Sequence, residues 1–232
     1  MAKAENSTSE FFPDIYPPRR IRILGAGHFG RLAAKRLKSR FPDALFSVID
    51  RDGERVAQIT GPGIAGEVGD CIAQMSCAPP EDDLWIIPSV PVHVGFEWVL
   101  SQPGLACDRG RLAVPEAVDL QVPNPFRVPS GTLYASFADF RCPDNCNEPD
   151  QICTHTGKQR RGNLYELLGA VDVPGFEVVV LRSVQLAPGV GGYPGRSLRE
   201  LAARIGAKPG GWLVATSCRC HAVMDALEWR AR

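Results

Sequence analysis

The first regular pattern of apolar and polar positions in this chain begins at Ile21. Ile21-Arg22-Ile23-Leu24 alternates with a period of two and runs straight into glycine, which predicts a short strand. From Arg31 to Ser39 the apolar residues Leu32, Ala33 and Leu37 share one side of a helical wheel, with Arg31, Lys35, Arg36 and Lys38 mainly opposite. Ala44 to Ile49 predicts a second strand ending at Asp50, and Gly53 to Ile59 a short helix. Asp83 to Pro88 reads as a core strand stopped by proline. Val92 to Leu100 then predicts a helix with His93 and Glu97 one turn apart on one face.

Beyond residue 100 the pattern loosens. Residues 101–131 are rich in Pro and Gly and read as irregular, while Leu133 to Phe140 predicts a strand. That strand enters a segment with almost nothing apolar to bury, running from Cys142 to His155. Phe176 to Val184 predicts another strand. Ser197-Leu-Arg-Glu200 has the form of a capping box opening a helix to about Ile205. Trp212 to Thr216 predicts a strand, and a last helix is expected from near Cys220. Strands alternating with helices predict an α/β fold with an open, doubly wound, mostly parallel sheet, into which the Cys-rich loop is inserted. Residues 1–18 form an arm in this reading, residues 19–131 a first half, and residues 132–232 a second α/β portion continuing the same sheet.

Composition narrows the function classes. With 26 basic and 26 acidic residues the formal charge is zero, so no global field attracts nucleic acid or an anionic membrane. No apolar run approaches the roughly 20 residues a membrane span needs, so direct membrane insertion is not expected. The first eighteen residues lack the basic and apolar blocks of a signal peptide. A cytoplasmic protein with reduced thiols is the expectation, and a homo-oligomer or protein partner stays open.

Gly25-Ala26-Gly27-His28-Phe29-Gly30 lies between the first strand and the first helix, with an acidic residue ending the second strand twenty positions on. Gly25 suits the tight turn, Gly27 lets a pyrophosphate approach the backbone, and Gly30 lets helix and strand pack closely. The helix N-terminus offers N–H groups and a positive dipole end to phosphates. The expected ligand is therefore a dinucleotide, held at Gly25, Gly27, His28, Phe29, Gly30, Asp50 and Arg51 in a Rossmann-like sheet. Asp50 would accept hydrogen bonds from ribose hydroxyls, which favours NAD, whereas Arg51 next to it can hold the extra phosphate of NADP.

Three stretches together, Ile23-Leu-Gly-Ala-Gly-His-Phe-Gly-Arg-Leu-Ala-Ala34, Val48-Ile-Asp-Arg-Asp-Gly-Glu-Arg-Val56 and Val68-Gly-Asp70, resemble the nucleotide-binding domain of Trk-type potassium-uptake regulators. The resemblance covers residues 21–70. It implies a Rossmann fold holding NAD or another adenine nucleotide at Gly25, Gly27, Gly30 and Asp50. After Asp70 the sequence departs from that family's pattern.

Five of the eight cysteines lie in two clusters. Cys142-x3-Cys146-x6-Cys153 is followed by His155, and Cys218-x-Cys220-His221 ends the strand predicted at 212–216. Clustered thiolates repel one another unless protonated, oxidised or bound to a metal, and so polar a loop needs a cross-link to be ordered. A metal centre joining Cys142, Cys146, Cys153, Cys218 and Cys220 supplies one. Zinc and an iron–sulfur cluster stand level on this evidence, since the first pair fits a zinc site loosely and four thiolates also suit a cluster. His155 and His221 are expected behind the ligands, and Cys71, Cys77 and Cys107 as packing residues.

His93 is the candidate catalytic acid or base, with Glu97 as its expected partner. Gln185 to Tyr193 reads as a glycine-rich loop able to cover a substrate, and Lys158 to Arg161 as a basic run. Two functions follow. The leading one is an NAD(H)-binding protein with a Cys-ligated metal or iron–sulfur centre, acting as an oxidoreductase. The other is a non-enzymatic nucleotide-sensing subunit with a structural zinc site.

Overall fold

The structure, a computed structural model, describes residues 17–77, 80–102 and 107–231. All but the last two residues of the expected arm lie outside that set. Strand and helix alternate through β1 (Arg20–Leu24), α1 (His28–Arg40), β2 (Leu45–Asp50), α2 (Gly53–Ile59), β3 (Ile64–Val68), α3 (Cys71–Cys77), β4 (Leu84–Pro88) and α4 (Val94–Ser101). These four strands are parallel and lie in the order β3-β2-β1-β4.

The second half contains β5 (Cys107–Leu112), a single 3-10 turn at Glu116–Val118, β6 (Phe126–Arg127), β7 (Leu133–Ser136), α5 (Leu164–Gly169), β8 (Phe176–Arg182), β9 (Val184–Ala187), β10 (Val190–Pro194), α6 (Gly195–Gly206), β11 (Gly210–Ser217) and β12 (His221–Ala231). The fold is thus mixed α/β, but the expected single, doubly wound and mostly parallel sheet is replaced by two mixed sheets. Only β9 and β10 join the first sheet, where β10 runs antiparallel to β4. Two residues connect β9 to β10, too few for the crossover that a parallel neighbour requires. The second sheet has the order β6-β7-β12-β11-β8, with β5 also on β12.

Three further expectations change. The last helix, expected from Cys220, is the long strand β12, paired with β11 from Ser217↔Ala222 to Gly210↔Trp229. The stretch 101–131 is not irregular throughout, because β5 and β6 find partners in β12 and β7. Helix α6 begins two residues before Ser197, which is buried inside it and does not cap it. Gly195 allows that early start, since a Cβ there would lie 2.2 Å from the Glu81 carbonyl oxygen.

Helices α3, α4 and α6 fill the space between the sheets. Their core takes Leu84 and Ile86 from β4 and Trp212 and Val214 from β11. The alternate residues of the same strands point outwards. Trp85 and Ile87 pack with Ala33, Ala34 and Leu37 of α1, and Leu213 and Ala215 pack with Leu164 and Leu168 of α5. Both sheets are therefore buried on two faces, which leaves their ends free to form a site.

Candidate functional site: a cavity between the glycine loop and the cysteine loop

A cavity of about 800 Å³ opens at the carboxyl end of β4 and β11. Phe29 and Pro88 line it from the first sheet, and Thr216, Cys218, Cys220 and His221 from the second. Cys142, Cys146 and Glu148 of the cysteine loop line it as well.

On the first side, two of the three loop glycines are required by the fold itself. Gly25 has φ +102°, and a Cβ would lie 2.7 Å from the Ser89 carbonyl oxygen. At Gly30 a Cβ would lie 1.9 Å from the oxygen of Gly25. Gly27 differs, because a Cβ there would meet nothing within 4 Å. It stands at the N-terminus of α1, which no side chain caps. The Asp50 carboxylate accepts hydrogen bonds from the N–H groups of Ala26 (2.6 Å) and Asp52 (2.9 Å). Burial pushes that carboxyl up, but these donors and the Arg55 charge outweigh it and hold it below the usual carboxylate range. Arg51 is turned to Asp70, with Nε donating at 3.0 Å. The exposed Phe29 ring stands edge-on to His28.

The cysteine loop is fastened to this side. Arg36 of α1 donates to the carbonyl oxygens of Asp144 and Pro188, each at 2.6 Å. His28 Nε2 lies 3.1 Å from Asp144 Oδ2. Gln185 and the N–H of Gly189 both donate to the Cys146 carbonyl, at 2.7 and 2.9 Å. The expected glycine-rich loop at 185–193 is therefore the β9–β10 hairpin, and its tip carries the cysteine loop. Gly189 is obligatory at φ +65°, with Asp144 O only 1.8 Å from where a Cβ would stand.

The cysteines fall into a connected group. The seven described ones are free thiols. Burial pushes the Cys142 thiol up to about 11, and negative charge on Cys146, Cys220 and Cys153 adds to this, so these four are electrostatic neighbours. Cys153 goes the other way, its thiol lowered by the Thr156 hydroxyl and by backbone N–H groups of Thr156 and His155. Backbone N–H groups also point at Cys146 Sγ, from Glu148 at 3.4 Å, and at Cys218 Sγ, from Cys220 at 3.5 Å and His221 at 3.4 Å. Cys218 nevertheless stands apart, because burial and the Glu148 carboxylate push its thiol well above the ordinary range. Among the described residues, no three His, Cys, Asp or Glu side chains converge on one point as a metal-ligating group.

Arg160 sits against this group. Burial pushes the Cys220 thiol up; the Arg160 charge opposes this and also helps to lower Cys153, while its Nε and Nη2 are buried without a hydrogen-bond partner. The expected basic run thus contributes a buried guanidinium, a role its sequence gave no sign of. His155 stacks on Phe140 at 4.4 Å, and His221 Nδ1 lies 3.8 Å from Cys218 Sγ. Cys71 is buried as expected, whereas Cys77 is exposed. The Cys107 side chain lies outside the described residues.

His93 does not pair with Glu97. It precedes α4 and is buried, with Nδ1 2.9 Å from Asp225 Oδ2 and Nε2 2.8 Å from Thr216 Oγ1. Glu97 pairs with Arg111 instead. Asp225 also accepts hydrogen bonds from Thr132 (2.7 Å) and Arg111 (3.3 Å). Burial raises its carboxyl, but the bonds and charges of His93, Thr132 and Arg111 prevail and keep it below the usual range. No sequence spacing joins positions 93, 216 and 225, so only the packing of α4 on the second sheet reveals the set.

Residues 95–230 match the family model AF_1314_C, described as "Uncharacterized protein, C-terminal domain". The chain belongs to this family. The matched stretch takes in most of α4, the cysteine loop and the second sheet as far as Arg230, and leaves the glycine loop outside it. A relative from Archaeoglobus fulgidus, itself described as an uncharacterized protein, is 29% identical over 226 residues. That alignment covers 89% of this chain and 98% of the relative, so it spans both halves of the cavity. No solved structure matches. Among the described residues no helix is long and apolar enough to cross a membrane.

Proposed function

We propose that this protein binds NAD(H) at the glycine loop and holds a Cys-ligated metal or iron–sulfur centre across the cavity from it, acting as an oxidoreductase of the reduced, cytoplasmic compartment. The observation that carries this reading is the single cavity lined from one side by Phe29 and Pro88 and from the other by Cys142, Cys146 and Cys220. The strand order β3-β2-β1-β4, with the glycine loop after β1, is that of a dinucleotide-binding half. Gly27 supports it further. The fold leaves the space at its Cα open, and a pyrophosphate on the α1 N-terminus is what a side chain there would exclude. Asp50 would turn its ionised carboxylate to the ribose. Arg51 is turned to Asp70 and away from Asp50, which favours NAD over NADP.

Cys142, Cys146, Cys153 and Cys220 are the proposed ligands. Their mutual repulsion is what a bound cation or cluster reverses, and the backbone N–H groups at Cys146 and Cys153 stabilise thiolates. The unpartnered nitrogens of Arg160 would be satisfied by the negative charge that four thiolates bring to such a centre. Cys218, held protonated beside Glu148, is left out of the set.

A non-enzymatic nucleotide sensor is the second reading. What favours it is the direct attachment of the cysteine loop to α1 through Arg36 and His28, which ties the phosphate loop to the centre mechanically. Metal analysis and a visible spectrum of anaerobically purified protein, followed by NADH titration, separate the two. Iron or zinc in stoichiometric amount, NADH binding that Gly27→Val abolishes, and NADH-dependent reduction of ferricyanide are expected. Metal and binding without any electron transfer would favour the sensor, and a metal-free protein that ignores NADH would sink both.

A further inference from the structure

The cavity wall carries one group that the dinucleotide and the centre leave unused. Thr216, at the end of β11, lines the cavity, and its Oγ1 lies 2.8 Å from the Nε2 of His93. Behind it, His93 Nδ1 lies 2.9 Å from the Asp225 carboxylate, with both residues almost wholly removed from solvent. An ionised carboxylate can only accept, so Nδ1 donates to it. Nε2 is then left to exchange a proton with the Thr216 hydroxyl. Asp225 is pinned in turn by Thr132 and Arg111, and Arg111 is held by Glu97 and over the Phe96 ring. A buried His–Asp pair that serves only to join a helix to a sheet has no need to end on a hydroxyl at a cavity wall.

We propose that Asp225, His93 and Thr216 form a proton relay whose cavity end, the Thr216 hydroxyl, serves a carbonyl substrate reduced by the nicotinamide. The inference rests on the NAD(H) reading and names the class of substrate for it. A hydride delivered from C4 of NADH to a carbonyl carbon breaks one C–H bond, forms another and leaves an alkoxide oxygen. That oxygen takes a proton from Thr216 Oγ1, which is refilled from His93 Nε2 once the ring has taken up a second proton, the Asp225 carboxylate holding Nδ1–H throughout. The sum is NADH, a proton and an aldehyde or ketone going to NAD and an alcohol, with the proton drawn finally from water. An acceptor of electrons alone needs no such proton. Thr216 is the catalytic residue of the relay, and His93 and Asp225 are positioning residues acting through it.

The test compares two acceptors on the whole, metal-loaded protein with NADH: ferricyanide, which takes only electrons, and 4-nitrobenzaldehyde, which takes hydride and proton. Thr216→Val keeps the side-chain shape and is expected to lower the ratio of aldehyde to ferricyanide turnover at least about 100-fold, through kcat and not KM. Thr216→Ser restores most of it. His93→Gln lowers aldehyde kcat similarly and increases its solvent deuterium isotope effect, which a merely structural histidine would not change. Melting temperatures check that each variant is folded, and Thr216→Ala takes the place of Thr216→Val if that variant is not. A wild-type protein that reduces ferricyanide but not the aldehyde, or an unchanged ratio in Thr216→Val, overturns the relay and leaves the NAD(H) reading standing. A protein that oxidises NADH with neither acceptor overturns the relay together with the oxidoreductase reading, and leaves only the nucleotide sensor.

Discussion

The two sheets reach the same cavity with different means. Residues 20–88 set each strand beside a parallel neighbour and reach the cavity only through Phe29 and Pro88, next to a stretch of backbone formed by the turn at Gly25, the open space at Gly27 and the uncapped start of α1. Residues 107–231 join their strands mostly antiparallel, and their rim is side chains: thiols, an imidazole and a hydroxyl. Within that backbone Gly25 and Gly30 tolerate no added atom, whereas Gly27 has room for one. A side-chain rim can be altered group by group, because the sheet beneath it is packed separately on both faces.

The sharpest way to break that comparison is at the glycines. Gly30→Ala puts a methyl into the Gly25 carbonyl and is expected to cost at least about 3 kcal/mol, read as lost soluble protein or a large fall in the denaturation midpoint. Gly27→Ala should stay within about 1 kcal/mol of wild type and yet weaken NADH binding about tenfold or more by calorimetry. Equal stability losses at both positions would remove the case for a ligand at Gly27.

Next comes the buried acid of the second sheet. Asp225→Ala strands His93 and Arg111 and should cost about 3 kcal/mol in chemical denaturation. Asp225 is held below its unfolded range, so its contribution is full above pH about 4 and is lost as pH falls through the lower folded value. Stability of the wild type should therefore drop in acid more steeply than that of Asp225→Asn, and parallel acid limbs would contradict the assignment. If the cysteines hold the proposed metal, its removal with a chelator is expected to act locally. Hydrogen exchange at residues 142–160 should accelerate while β1 and β2 keep their protection, whereas uniform loosening would mean that the centre supports the whole fold. The smallest effect is expected at Arg51→Ala, within about 0.5 kcal/mol, because its ion pair with Asp70 is at the surface.

The first half was legible because its information is local. Ile21 to Leu24, Gly53 to Ile59 and the glycine loop are specified by neighbours within a few residues, through alternation, helix caps and turn requirements. Asp52, for instance, caps α2 by accepting from the N–H groups of Glu54 and Arg55, a contact spanning three residues. β12 was misread for the opposite reason. Its Ala, Met, Leu, Glu and Arg are good helix formers, and only long-range pairing with β11, β7 and β5 makes it a strand. The expected His93–Glu97 pair failed likewise, since helical spacing assumed His93 lay within α4, whereas it precedes the helix and reaches across to β11 and β12.

By itself, then, the sequence determined a strand, glycine loop and helix at residues 20–40, an acidic end to β2 at Asp50, and two groups of cysteines in polar surroundings. Tertiary structure alone decided that the second half forms its own sheet, that the Cys218 thiol is pushed up beside Glu148, and that two nitrogens of Arg160 are buried near the cysteines. It also brought Thr216, His93 and Asp225 into one line. The physical reason is range: turns, caps and periodicity act over a few residues and are written in adjacent letters. Strand pairing and buried charge join residues a hundred or more positions apart, and these are fixed only when the two sheets close on the helices between them.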